Sequence, residues 1–161
     1  MKQLVLKVPT FVFAIPVLLP LLILALQIIS EKELFVMEYL QFLKPISKVV
    51  VFAWLFSIVH YFQSKAPNFK YLKSIYLLLF IDLTLEIILW IFFPPFAFND
   101  LWYSVISLVQ FFNFVALTTL LTMLIHTVFY ERSVWFIILE IFTIVVGILT
   151  LTPEIKRSEK R

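Results

Sequence analysis

The sequence predicts an all-α fold, a polytopic transmembrane helix bundle of about five spans, on three observations. Hydrophobic residues make up 63% of the 161 positions, and mean hydropathy is +1.05, both far outside the range of soluble domains. The apolar residues fall into five long runs separated by Pro, Asn, Ser and charged residues. Inside a bilayer a backbone must satisfy its own polar groups, so each run is expected to coil into a helix and cross. What remains is short loops and a tail, so residues 1–161 read as one transmembrane domain.

The first span covers about 9–29, with Pro16 and Pro20 inside it and Lys2 and Lys7 ahead of it. The run is too long for a signal-peptide core, and no small-x-small cleavage site follows. It reads as a spanning helix, with a kink at the prolines whose freed carbonyls other helices can satisfy. Ser30-Glu31-Lys32-Glu33 then matches a capping box. The segment from Leu34 to Lys44 is too short to cross. It reads as a short interfacial helix between spans 1 and 2, or as a helical loop.

The second span, about 46–62, is near the lower length limit for crossing. Ser64-Lys65-Ala66-Pro67-Asn68 is a loop by its turn chemistry. The third span, about 72–93, stops at Pro94-Pro95. Asn99 or Asp100 can cap the fourth, about 101–130, which at about 45 Å must tilt or protrude. Glu131-Arg132-Ser133 forms a turn with Ser133 as a helix cap. The fifth span, about 134–152, ends at Pro153 and leaves a basic tail, 153–161. Trp54, Trp90, Trp102 and Trp135 fall mostly near span ends, where amphipathic rings settle.

With five crossings, one side collects Lys2, Lys7, Lys65, Lys70, Lys73 and Arg132. The other collects Lys32, Lys44, Lys48, Lys156, Arg157, Lys160 and Arg161. Six against seven does not fix an orientation; the basic tail favours a cytoplasmic C-terminus. The absence of cysteine excludes disulfides, thiolate metal sites and cysteine nucleophiles. Scattered basic residues, with aromatics confined to apolar runs, argue against nucleic acid. Gly147 is the only glycine, so small-residue helix packing is largely closed to the chain. Nineteen phenylalanines fill the space instead, which reads as compositional bias rather than a cofactor site. No metal or cofactor is called for.

Three carboxyls, Asp82, Glu86 and Glu140, lie inside apolar runs, where an ionised acid costs several kcal/mol unless paired, protonated or wetted. Asp82 and Glu86 are four apart and share a helix face near mid-membrane, about 15 Å and 21 Å in from Leu72. At least one is expected to be protonated at pH 7, because neighbouring like charges do not both ionise in a low dielectric.

On the fourth span Ser104, Ser107, Gln110, Thr118, Thr122 and His126 form a stripe, with Asn113 and Thr119 off it. An antiparallel arrangement brings Gln110 and Asn113 to the depth of the two acids. Glu140, Thr143 and Gly147 share a face on the fifth span. His60, His126 and Glu140 lie about 5, 6 and 9 Å from span ends on one membrane surface. They can be weighed as a proton relay or ligand set, but no spacing is a ligand motif, and ordinary hydrogen bonds are favoured.

Three functions are compatible with this pattern. The first is a non-catalytic subunit of a larger assembly in the cell membrane, its acids meeting a basic or amide group of a membrane-protein partner or a second copy. The second is a transporter exchanging a proton or cation on those acids, against which stand the missing inverted repeat and glycine-broken helices. The third is a membrane-embedded enzyme acting on a lipid or isoprenoid, pairing one of the acids with His60 or His126. No catalytic or nucleotide motif supports catalysis, and the subunit reading is preferred.

Overall fold

A computed structural model describes residues 2–30, 36–92 and 101–159. The capping box at Glu31–Glu33, the Pro94-Pro95 stop and the Asn99 or Asp100 cap lie outside the described residues. The described residues contain helices and no strand. They are α1 (Lys2–Lys7), α2 (Thr10–Ser30), α3 (Val36–Lys65), α4 (Leu72–Phe92), α5 (Leu101–Val128), α6 (Val134–Phe142) and α7 (Val145–Ser158).

Three segments are long and apolar enough to cross a membrane: Pro45–Lys65 of α3, α4 and α5. The bent pair α6–α7 makes a fourth if it is one span, and Thr10–Pro20 of α2 is a shorter apolar helix. Large apolar side chains such as Phe80, Trp90, Trp102, Phe111 and Trp135 point outward. That is the reverse of a soluble surface and matches a hydrocarbon solvent. The protein is all-helical and membrane-embedded.

Two boundaries differ from expectation. The segment from Val36 to Lys44 is helical but runs without a break through Pro45 into the second span. The fifth apolar run does not continue straight to Pro153. It stops at Phe142, turns through 120°, and resumes as α7, which passes through Pro153 to Ser158. Ile144 sits at the break with φ 43°, a left-handed value that a β-branched residue rarely adopts.

The chain divides into two compact units. The first comprises Met1–Tyr61 and Leu139–Arg161. Here α1 and α2 pack on α7. Ile148, Leu151, Thr152 and Ile155, at helical spacing, form the buried stripe of α7. Trp54, Leu55 and Ile58 of α3, with Phe13 and Ala14 of α2, are buried in the same unit.

The second unit, Phe62–Ile138, is built on the packing of α4 against α5. Ile75, Leu79 and Asp82 form the buried stripe of α4. Asn113, Leu117, Leu121 and Leu124 form that of α5. Exposed hydroxyls along these helices turn inward: Thr84 and Thr119 donate to the carbonyls of Phe80 and Val115 at 2.8 and 2.9 Å. Bonding back to residue i−4 hides a hydroxyl from lipid without a neighbouring helix.

Candidate intramembrane polar sites

The four polar residues singled out on the third and fourth spans lie in the second unit, on the facing sides of α4 and α5. Gln110 Nε2 donates to Glu86 Oε2 at 2.8 Å. Asn113 Nδ2 donates to the backbone carbonyl of Leu78 at 3.0 Å. As the first member of these contacts moves back along α4, from 86 to 78, the second moves forward along α5, from 110 to 113. The pair is therefore antiparallel.

Asp82 lies one turn from Glu86 on the same stripe and is only 9% exposed. Asn113 is buried in the seam although the sequence pattern sets it off the polar stripe; its amide reaches a carbonyl, not the acid. Ser104, on the stripe, is exposed. Farther along the stripe Thr118 and Thr122 are buried beside the leucines at 117, 121 and 124.

Glu86 and Gln110 are each half-buried, so their hydrogen bond lies at the rim of the α4–α5 seam rather than in its centre. Gln110 makes one hydrogen bond, through Nε2. A side-chain amide can donate twice and accept twice. The rest of that capacity belongs to a half-buried amide at a depth where there is no water to fill it.

Glu140 lies in the first unit and is fully buried. The Thr150 hydroxyl donates to its Oε1. That hydroxyl also lies 2.7 Å from the carbonyl of Val146. Close beside this pair, Gly147 backs onto the end of α6. A Cβ there would stand 2.5 Å from the carbonyl oxygen of Glu140 and 2.9 Å from Cη2 of Trp54. Glycine is required because the main chain of α7 lies against that of α6. On the far side of Trp54, its indole Nε1 donates to Thr152 Oγ1 at 3.0 Å, a buried bond between α3 and α7.

His60 is exposed in the first unit. His126, in the second, is half-buried, and its Nδ1 has no hydrogen-bond partner among the described residues. Among the described residues no three His, Asp or Glu side chains group closely enough to hold a metal ion.

The sequence reading missed Thr150 and Thr152, and took Lys156 only as part of the basic tail. Thr150 is ten residues from Glu140, about 15 Å along a straight helix, so no helical pattern pairs them. The one available signal was Gly147, the single glycine, standing where a backbone approaches another closely. No family model, curated protein or solved structure matches the chain.

Proposed function

We propose that this chain is a multi-pass integral protein of the cell membrane and serves as a non-catalytic subunit, pairing in the bilayer with another membrane chain or a second copy of itself. The observation that carries this reading is the Glu86–Gln110 hydrogen bond at the rim of the α4–α5 seam. Gln110, half-buried at that rim, has hydrogen-bonding capacity beyond this one bond, and at that depth another polypeptide can satisfy it. A partner helix presenting an amide, hydroxyl or basic side chain fits there.

The way the acids are held favours this reading over the transporter and the enzyme. Glu86 and Glu140 each accept a hydrogen bond from a neighbouring helix, from Gln110 and Thr150 respectively. Those bonds suit clamps that fix helix packing. A carrier must instead release its acid to solvent in turn, and a general acid must present it to a substrate.

Photo-crosslinking tests the proposal. A benzophenone amino acid at Ser107 or Phe114, which flank Gln110 on its own helix face, is expected to trap a second polypeptide or a second copy in native membranes. Gln110→Leu should weaken that product. Adducts with lipid alone at both positions contradict the proposal.

A further inference from the structure

We infer that α6 and α7 form a re-entrant hairpin rather than a fifth crossing, so that both chain termini lie on one membrane face, and that this face is cytoplasmic. Three observations carry the hairpin. Glu140 and Thr150 are joined by a hydrogen bond although a straight helix would hold them about 15 Å apart. The helix axis turns through 120° between them. At nine residues α6 is about 14 Å long, under half the roughly 30 Å hydrocarbon core, so it ends inside the membrane.

Where α7 comes out is fixed by two contacts. Lys156 Nζ donates to the carbonyl of Val8 at 2.5 Å, at the bend just before α2 begins. The Ser158 and Tyr61 hydroxyls are 2.7 Å apart, four residues before the end of α3. The last turn of α7 therefore lies beside the start of α2 and the end of α3. Val8, the end of α3 and the end of α7 thus share one face, to which the C-terminus returns.

In the second unit the same end of α3 continues the pattern. The Phe62 and Phe129 rings meet edge to face at 5.4 Å. Tyr76, early in α4, donates to Gln63 Oε1 at 2.8 Å. The end of α5, and with it the turn that leads into α6, thus belongs to the end of α3. Because α4 and α5 each cross once, the turn into α6 lies on the face where α3 ends.

The charge count then changes from undecided to one-sided. The face with the termini carries Lys2, Lys7, Lys65, Lys70, Lys73, Arg132, Lys156, Arg157, Lys160 and Arg161. Lys32, Lys44 and Lys48 remain on the other. Ten against three, where five crossings gave six against seven, is the bias that retains a loop on the cytoplasmic side, beside anionic headgroups. Glu131, Glu154 and Glu159 share the basic face, but acidic residues weigh little in that bias.

The chain has no cysteine, so single substitutions report accessibility without further changes. Lys2→Cys, Glu33→Cys, Arg132→Cys and Glu159→Cys are treated with a membrane-impermeant maleimide in intact bacterial cells and after lysis. Positions 2, 132 and 159 should label in intact cells at under about a tenth of the lysed level, and position 33 should label fully. Labelling of position 159, but not 2 or 132, in intact cells overturns the hairpin. Labelling of 2, 132 and 159 together from outside, with 33 protected, overturns the cytoplasmic assignment. As a check that leaves every side chain in place, green fluorescent protein fused to either terminus should fluoresce. A dark C-terminal fusion beside a bright N-terminal one also overturns the hairpin.

Discussion

Thr150 hydrogen-bonds the carboxyl of Glu140 across a break in the helix that carries them both. The bond joins the two arms of the α6–α7 pair at a depth without water. Removing the hydroxyl would leave a buried carboxyl without that donor, at a cost of about 1–3 kcal/mol. Thr150→Val should therefore lower stability by that amount in steric-trapping unfolding in bicelles, and Thr150→Ser, which keeps the donor, should lose much less.

The break itself makes two substitutions act in opposite directions from those in a continuous helix. Gly147→Ala places a methyl 2.5 Å from the Glu140 carbonyl oxygen, which the backbone of α6 cannot yield cheaply. A loss of about 1–3 kcal/mol is expected. Ile144→Gly removes the side chain that resists the positive φ and should stabilise by about 1 kcal/mol. In an unbroken span Gly147→Ala would be neutral or helpful and Ile144→Gly harmful, so thermal unfolding of the two variants separates the geometries by sign.

Trp54 and Thr152 tie α3 to α7 through one buried hydrogen bond. Trp54→Phe and Thr152→Val each remove it, by about 0.5–1.5 kcal/mol for the bond itself. The double variant should lose less than the sum of the two, by about the worth of that bond. Strict additivity in the same unfolding assay would show that the indole serves only by filling space.

Across the α4–α5 seam, Glu86→Leu and Gln110→Leu form a second double-variant cycle. Interhelical hydrogen bonds in membranes are worth about 0.6 kcal/mol on average and seldom more than about 1.7. A coupling within that range is expected for Glu86 with Gln110, and none for Glu86 with Asn113, whose amide bonds Leu78.

The helices were legible because hydrocarbon length and apolar composition leave the backbone little choice. Spans placed at about 72–93 and 101–130 are observed as Leu72–Phe92 and Leu101–Val128. The depth of Glu86 relative to Gln110 followed from helix rise alone. The burial of Asn113 did not, because the sequence pattern sets it off the stripe whose Thr118 and Thr122 are buried along the same helix. The break after Phe142 was also hidden: the residues on both sides are equally apolar, and Ile144 carries no turn chemistry. Pro153, read as a terminator, sits inside α7, where neighbouring groups in a membrane protein can make good the lost N–H.

The most direct test of a pairing role is the composition of the particle when the protein is lifted from native membranes with its surrounding lipid by an amphipathic polymer. The wild-type chain should come out with a second polypeptide or a second copy. Gln110→Leu should come out alone while unfolding within about 1.7 kcal/mol of wild type, the most that one interhelical bond is expected to contribute. A wild-type particle holding a single copy and no other protein, unchanged by Gln110→Leu, would contradict the account.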